Sequence, residues 1–251
     1  MYIHIIACQV FNRELSYYCS QSQNNVTVTW LPQGLHDTPN ILRQQLKQAI
    51  DNIQQQKDQQ LFKHVPEAIV LGYGLCSNGP VGLRAGDIPI ILPRTDDCIA
   101  LFLGSQKRYL QAFEQYSGTY WLNNGWVETA FIPSTEMLES RWKMYSQAYG
   151  ADNADYLMEV DMEWVKNYQY CGYISSPVYK SNCYTSIAKT IAADNGWSFL
   201  ELEGNTRLIE RLVNGEWNED EFLVCPPYHE IQATFDENKV CAVPYDKENH
   251  D

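Results

Sequence analysis

Cysteine is the residue type in this sequence with the most chemistry to offer. No two of the eight cysteines form a CxxC pair, so the sequence contains no zinc-finger, ferredoxin-type or thioredoxin-like motif. A metal site would therefore have to be assembled by the fold from distant segments. Without a recognisable signal peptide, we expect a reducing compartment in which thiols are buried, reactive or metal-bound. The cysteines are Cys8, Cys19, Cys76, Cys98, Cys171, Cys183, Cys225 and Cys241.

Four of these cysteines come at or just after the ends of predicted strands: Cys8, Cys76, Cys98 and Cys225. His36 lies in the loop after the strand VTVTWL. Ligands of doubly wound sheets bind at the carboxyl ends of the strands, so we expect Cys8, Cys76 and Cys98 to share a metal, with His36 as a candidate fourth ligand. Sulfur and imidazole ligands suit zinc, and thiolates suit an iron–sulfur cluster. The alternative is that each thiol is a buried core residue.

The run GYGLCSNGPVGL around Cys76 matches no standard loop motif. It departs from the dinucleotide fingerprint at Ser77 and from the nucleophile-elbow pattern at Asn78. Its glycines still permit a sharp turn after a strand, so one interpretation makes Cys76 a nucleophile with His36 or His229 as its base. Another is a nest of backbone N–H groups that binds an anion or a cluster sulfur. The residues expected to contact a cofactor here are Gly74, Ser77, Asn78 and Gly79.

Aromatic residues are concentrated in the passage SGTYWLNNGW, which we assign neither to a helix nor to a strand. Tyr120, Trp121 and Trp126 are candidates for lining a pocket for a flat ligand, and we count Tyr120 and Trp121 among the expected cofactor contacts. Packing in the core is the more frequent use of aromatic side chains and is the alternative here.

Strand-like and helix-like segments alternate along the chain. This rhythm predicts an α/β fold with a mostly parallel, doubly wound (Rossmann-like) sheet and helices on both faces. Two similar halves are an open alternative: residues 1–115 would carry the Cys/His motifs, 116–235 would form a C-terminal half, and 236–251 a flexible polar tail. The predicted strands are Tyr2–Val10, Val26–Leu31, Glu67–Leu75, Ile88–Leu92, Tyr170–Ser175, Ser198–Glu201 and Glu221–Cys225. The predicted helices are Asn12–Ser20, Asn40–Gln60, Cys98–Phe113, Glu136–Tyr149, Ala154–Tyr168, Cys183–Asp194 and Thr206–Val213.

Composition narrows the classes of partner. Of 251 residues, 45% are hydrophobic and 20% charged, which is typical of a folded globular protein. The formal net charge is −13, and no cluster of basic residues is available to neutralise phosphates, so we expect neither nucleic acid nor a membrane surface as partner. No apolar run reaches the roughly 18 residues of a membrane helix. The expected location is the cytoplasm.

Five sequence blocks resemble the family known as domain of unknown function 1638: ACQVFNREL, LPQGLHDTPNILR, LGYGLCSNGPVGL, DDCIALFLGS and GTYW. They lie between residues 7 and 121, and the C-terminal half matches more weakly. Members occur in methanogens and anaerobic bacteria, often encoded near corrinoid-dependent methyltransferases, so the resemblance implies a link to corrinoid or one-carbon metabolism. It implies no particular reaction. The family's pattern emphasises Cys8, His36, Cys76 and Cys98.

Two departures from expected patterns accompany the resemblance. Thr95 and Asp96 stand where the family pattern leads us to expect a histidine before the Asp-Cys pair. The D-x-H-x-x-G signature of base-off corrinoid binding is also absent from the sequence.

The leading hypothesis is a soluble metal-binding protein that acts on a small-molecule ligand or with a corrinoid methyltransferase system. Its enzymatic form would be a metal-dependent methyl or thiol transferase. One alternative is a corrinoid-binding or accessory module of such a system. The other is a metal-free hydrolase or transferase with Cys76 as nucleophile.

Overall fold

The computed structural model describes residues 1–246. The strands are β1 (Tyr2–Cys8), β2 (Asn25–Leu31), β3 (Ala68–Gly72), β4 (Ile90–Pro93), β5 (Thr119–Leu122), β6 (Tyr170–Ser175), β7 (Ser198–Glu203), β8 (Phe222–Cys225), β9 (His229–Ala233) and β10 (Val240–Pro244). The α-helices are α1 (Asn12–Gln21), α2 (Pro39–Asp58), α3 (Cys98–Leu103), α4 (Gln106–Gln115), α5 (Asn124–Thr129), α6 (Thr135–Tyr149), α7 (Ala151–Asp161), α8 (Asn182–Asp194) and α9 (Arg207–Asn214). Short 3-10 helices span Gln9–Phe11, Leu35–Asp37 and Glu163–Asn167.

The main sheet has five strands in the order β2-β1-β3-β4-β8. The first four are parallel to their neighbours, and β8 runs antiparallel to β4. Every residue of β3 and of β4 is buried, which explains why both read as continuous apolar runs. The prediction of a mixed α/β fold with a mostly parallel sheet is therefore confirmed.

A second, three-stranded parallel sheet has the order β5-β6-β7. It has its own small core, built around Leu122, Cys171, Tyr173, Ile191 and Trp197. The chain then returns to the main sheet, where α9 packs on α1 and α3, and β8 pairs with β4. Residues 116–235, the predicted C-terminal half, thus contribute strands to both sheets. A strand's apolar pattern does not reveal which strand it will pair with.

The segment predicted as a flexible tail, from residue 236, includes β10 in its described part. β9 and β10 form an antiparallel hairpin, and Val240 is fully buried. Arg94 fixes the hairpin by donating hydrogen bonds to the carbonyl oxygens of Asn238 and Val240. Residues 247–251 of the predicted tail lie outside the described residues. Within residues 1–246 no helix is long and apolar enough to cross a membrane.

Three predicted segments differ locally from the structure. The single helix expected after Cys98 is broken at Gly104, whose φ of 80° ends α3 before α4 begins. The helix predicted at Ala154–Tyr168 begins and ends earlier, as α7, and continues only as a 3-10 turn. The unassigned aromatic passage forms β5 and α5.

Candidate functional site

A cavity of about 290 Å³ lies at the carboxyl ends of β1, β3 and β4, and we call it the thiol cavity. Cys8, Cys76 and Cys98 all line it, as does His36. In the strand order β2-β1-β3-β4, the connection after β1 leads toward one side of the sheet and the connection after β3 leads toward the other. In α/β folds, ligands bind at the carboxyl ends of strands where the strand order changes direction in this way. The structure thus brings the four expected ligand residues to one cavity.

Cys8 is the last residue of β1 and immediately precedes the first 3-10 turn. Its extended backbone, with φ −66° and ψ 141°, ends the strand and starts the turn. Burial raises the pKa of its thiol to about 12, although the backbone of Val10 opposes the shift. Cys8 is therefore protonated at neutral pH in this structure.

Cys76 begins a loop with an unusual backbone. Cys76, Ser77 and Asn78 have φ values of 43°, 59° and 64°, three consecutive residues other than glycine in the left-handed region. This conformation costs roughly 1–2 kcal/mol per residue, so the surrounding structure must impose it. The Arg43 guanidinium contributes by donating to the carbonyl oxygens of Asn78 and Val81.

Hydrogen bonds also join this loop to the loop after β4. The N–H of Leu75 donates to the Thr95 carbonyl oxygen over 2.8 Å, and the N–H of Cys76 donates to that of Asp96 over 2.9 Å. The N–H of Gly79 donates back to Leu75. Three N–H groups of the run considered as an anion-binding nest, those of Leu75, Cys76 and Gly79, are therefore already bonded within the protein.

Two glycines of the run are required by close packing. A Cβ atom at Gly74 would lie 2.7 Å from the Cα atom of Asp97, and one at Gly79 would lie 2.3 Å from a methyl carbon of Leu42. Gly74 lets the loops that carry Cys76 and Cys98 approach each other. Gly74, Asn78 and Gly79 thus shape the loop, whereas Ser77 lines the thiol cavity.

Cys98 is the first residue of α3. Asp97 caps this helix, because its carboxylate accepts a hydrogen bond from the N–H of Ile99 over 2.6 Å. The cap fixes the direction of the Cys98 side chain, whose Sγ lies 3.4 Å from the Sγ of Cys76. The hydrogen bond with Cys76 and burial together raise the pKa of Cys98 well above its ordinary value.

Buried polar atoms beside the thiols lack a partner within the protein. The Tyr73 hydroxyl and the Thr95 hydroxyl have no hydrogen bond among the described residues, although both residues are buried. Burial raises the pKa of Tyr73, and the three neighbouring thiols Cys8, Cys98 and Cys76 raise it further. Since buried hydroxyls are normally paired, the Tyr73 hydroxyl is suited to bond a ligand in the thiol cavity.

Two aspartates form the polar wall of the thiol cavity. Asp96 pairs with Lys239 of the β9–β10 turn over 3.0 Å and also contacts Gln106. Burial raises the pKa of Asp97, and the hydroxyl of Tyr109 opposes that shift. The two neighbouring carboxyls thus differ in environment, one ion-paired and the other buried beside a phenol.

His36 lies at the rim of the thiol cavity, with its side chain 44% exposed. Its Nε2 is 3.3 Å from Oδ1 of Asp37. His229, the other base considered for Cys76, lies on β9, where its Nδ1 is 3.0 Å from the Pro227 carbonyl oxygen. It is not among the residues that line the thiol cavity.

Cys225 does not join the other strand-end cysteines. It was expected at the same edge because it ends a strand, but β8 is antiparallel and Cys225 pairs with Ile90, the first residue of β4. Cys225 therefore lies toward the opposite edge of the sheet. Its Sγ is 3.4 Å from the His229 carbonyl oxygen, and burial raises its pKa to about 12.

The thiol cavity is not a preformed metal cage. Among the described residues, no group of three or more His, Cys, Asp or Glu side chains is arranged to hold a metal ion. The closest approach of thiols at this cavity is the Cys76–Cys98 pair, with Cys8 and His36 on the walls around it.

A second cavity, of about 540 Å³, adjoins the first, and we call it the aromatic cavity. It lies where the main sheet meets the second sheet, and Tyr120 and Trp121 of β5 line it as expected for a flat-ligand pocket. Both cavities share part of their walls. The shared residues are Gln33, His36, Ile99 and Trp126.

Sequence reasoning missed several residues of the site. Tyr73 stands in the GYGLC run itself, where a tyrosine at a buried strand end was an available signal. Tyr109 is spaced from Asp97 by about three helical turns and carries no such signal. Lys239 falls in the segment assigned to a flexible tail, so nothing in its neighbourhood pointed to Asp96.

Comparison with known families identifies the chain. Residues 30–213, more than half of the chain, match the family model described as protein of unknown function DUF1638. The chain belongs to this family. The matched segment of this DUF1638 protein includes His36, Cys76 and Cys98, whereas Cys8 lies before it. No curated protein and no solved structure matches the chain significantly.

Proposed function

We propose that this DUF1638 protein is a metal-dependent methyl or thiol transferase whose metal is bound in the thiol cavity by Cys76, Cys98 and Cys8, with His36 as the fourth ligand. The observation that carries the proposal is the contact between two buried thiols on a cavity that a third thiol also lines. Free thiols are often buried singly in a core, but that role does not explain their convergence beside the unpartnered Tyr73 hydroxyl.

The spacing of the two sulfurs favours a single ion. Two thiolates bound to one tetrahedral zinc ion at about 2.3 Å are about 3.8 Å apart. The 3.4 Å between Cys76 and Cys98 requires only a small adjustment to reach that spacing. Sulfur ligands combined with one imidazole also suit zinc, while an iron–sulfur cluster is the second metal form consistent with three cysteines.

Completing the ligand set requires side chains to turn toward the Cys76–Cys98 pair. The exposed side chain of His36 has the freedom to do so at the rim, and Cys8 at the end of β1 lines the same cavity. Bound by Cys8, Cys76 and Cys98, a zinc ion would supply Lewis-acid chemistry at its fourth position, which a substrate thiol could take as its thiolate in place of His36. Tyr73 would donate its free hydroxyl to a bound group, and Asp97 beside Tyr109 would hold or release a proton at its carboxyl oxygen.

Two further parts of the proposal rest on topology and family. The order β2-β1-β3-β4 supports a doubly wound arrangement of the main sheet. Membership of the DUF1638 family, together with the resemblance described above, supports a role in corrinoid or one-carbon metabolism and a corrinoid methyltransferase system as partner.

The second candidate function is metal-free catalysis with Cys76 as nucleophile. The strained backbone at Cys76 and Ser77 favours it, because such strain is concentrated at active sites. Against it, the pKa of the neighbouring Cys98 is raised, so that its thiol stays protonated and cannot accept the proton of Cys76.

Elemental analysis of protein purified without oxygen tests the leading function. We expect one equivalent of zinc in the wild type, and its loss in Cys76→Ser and Cys98→Ser. Cys225→Ser is the matched control, since Cys225 is equally buried but lies away from the cavity, and it should retain the metal. Iron together with sulfide, found instead of zinc, would show that the metal is an iron–sulfur cluster.

Alkylation separates the two candidate functions. Rapid, selective alkylation of Cys76 in protein that binds neither zinc nor iron would refute the metal proposal and support the nucleophile. Slow and equal alkylation of all thiols in such protein would refute both.

A further inference from the structure

The aromatic cavity has walls set at steep angles to one another. The ring of Tyr168 is inclined at 82° to that of Tyr120 and at 84° to that of Trp164, with centroids 5.4 and 5.8 Å apart. Tyr120 and Trp164 are 5.6 Å apart and inclined at 35°. Trp197 packs on Tyr120 and Tyr168 from outside the cavity, at 5.4 and 5.7 Å. Trp121 and Trp126 add further aromatic surface to the lining. Edge-to-face pairs of this kind are a preferred packing of aromatic rings, and they leave several differently oriented rings on one cavity wall.

The charge at this cavity is negative. Asp37 lines it, and its carboxylate raises the pKa of both Tyr120 and Tyr168, in addition to the larger effect of burial on each. None of the described residues that line the cavity is a lysine or an arginine. The charge of Asp37 and the negative faces of the rings therefore disfavour an anionic ligand and favour a cationic one.

Other aromatic rings in the protein already have a cation. Arg13 lies 4.0 Å from the centre of the Tyr179 ring, and Lys189 lies 5.3 Å from that of Phe199. At the edge of the aromatic cavity, Arg141 covers Phe131 at 4.3 Å. Among residues 1–246, no arginine or lysine covers the other five rings of this cavity in the same way. The surface that these rings present to the cavity is therefore not covered by a cation of the described chain.

We propose that the aromatic cavity binds a small organic cation of the quaternary-ammonium class, held by the aromatic surface that lines the cavity and by the charge of Asp37. Cations over aromatic faces are attracted by the ring quadrupole, and an ammonium that carries methyl groups also loses little on leaving water. The cavity of about 540 Å³ accommodates such a molecule. This inference does not depend on the metal.

The proposed cation site lies next to the thiol cavity. The aromatic and thiol cavities share Trp126 and His36, so a ligand bound by its ammonium group at the rings has its other atoms next to the thiols. If the proposed function is also correct, this ligand is the substrate class of the transferase.

A pair of isosteric ligands tests the inference with metal-free wild-type protein. Choline and 3,3-dimethylbutan-1-ol have the same shape but differ in charge, and tryptophan fluorescence or calorimetry can follow the binding of each. We expect choline to bind at least tenfold more tightly than the alcohol. Equal affinity would overturn the inference in favour of a pocket for uncharged ligands. The absence of saturable choline binding up to roughly 50 mM would also overturn it.

Substitutions locate the binding. Asp37→Asn changes an exposed carboxylate that has little structural role, and we expect choline affinity to fall two- to fivefold. Asp58→Asn is the matched exposed control and should leave it unchanged. Trp164→Leu should weaken choline about tenfold, whereas Trp164→Phe should retain most of the affinity. No effect of Trp164→Leu in a variant with unchanged circular dichroism would place the cation elsewhere and refute the site.

The metal and the cation are separable in this design. Choline binding that persists in the Cys76→Ser variant supports the cation site whether or not zinc is bound. Stoichiometric zinc without choline binding would leave the proposed function standing and refute the cation site.

Discussion

Replacing Gly74 by alanine should separate the loops that carry Cys76 and Cys98. Nothing in the backbone of Gly74 demands glycine, because its φ lies outside the left-handed region; the restriction is space. The added Cβ would lie 2.7 Å from two backbone atoms of Asp97 and from the Thr95 side-chain oxygen. Backbone atoms of a helix cap cannot turn away as a flexible side chain can, so the loops themselves must move.

The size of the movement follows from the contact distances. Restoring an ordinary contact of 3.4 Å requires a shift of roughly 0.7 Å between the two loops. If the thiols follow their loops, the Cys76–Cys98 separation of 3.4 Å grows to about 4 Å, and the sulfur–sulfur hydrogen bond is lost. Overpacking of this kind costs about 1–3 kcal/mol of the free energy of unfolding.

Two measurements check this prediction. Chemical denaturation gives the loss of stability, and titration with phenylarsine oxide, which needs two adjacent sulfurs, reports the thiol pair. Gly86→Ala is the control, because its new Cβ would meet only the end of the Gln54 side chain, 2.8 Å away, and should cost less than about 1 kcal/mol. The reasoning fails if Gly74→Ala retains wild-type stability and wild-type affinity for the arsenical.

Three shorter predictions concern protons and strain. Burial raises the pKa of Glu14, so the folded state holds this proton more tightly than the unfolded state, and the free energy of unfolding should fall as pH rises above about 4.5. In urea titrations, Glu14→Gln should show a flatter dependence of this free energy on pH than the wild type. Binding of zinc must deprotonate thiols such as Cys8, whose pKa is about 12, so calorimetry in buffers of different ionisation enthalpy should show proton release, with one proton fewer in Cys8→Ser. Ser77→Gly relieves the left-handed backbone at φ 59° and should raise the free energy of unfolding by about 1 kcal/mol in thermal or urea unfolding.

Much of the main sheet could be predicted from local pattern. β1, β3 and β4 are short apolar runs bounded by turns, and α2 places Leu42, Leu46 and Ile50 at helical spacing on its buried face. These signals are local in sequence, so they survive without knowledge of the partner elements.

The pairing of β8 could not be predicted in the same way. The apolar pattern of FLVC is the same whether the strand pairs parallel or antiparallel to its neighbour. Cys225 was therefore assigned to the wrong edge of the sheet. The hairpin of β9 and β10 is more polar than the central strands and resembles a solvated tail, although Val240 is buried and Arg94 binds its turn. Tertiary contacts that link residues more than a hundred positions apart decide both cases.

Cys8 and Cys76 could be expected at the same edge of the sheet, because the direction of parallel strands alone determines at which edge their carboxyl ends lie. The 3.4 Å between Cys76 and Cys98 has a different origin, namely the absence of a side chain at Gly74 and the cap at Asp97. Gly74, predicted as a cofactor contact, has in the structure a steric effect that the sequence pattern does not indicate.

A second close approach explains why the two cavities share a wall. A Cβ at Gly125 of α5 would lie 1.8 Å from the carbonyl oxygen of Val10, two residues after Cys8. Through this contact α5 packs closely against the turn at the end of β1. α5 itself follows β5 of the second sheet. The contact also places the next residue, Trp126, on the wall of the thiol cavity and of the aromatic cavity. Any side chain at Gly125 must move α5 away from the turn after β1, so it should disturb both cavities together.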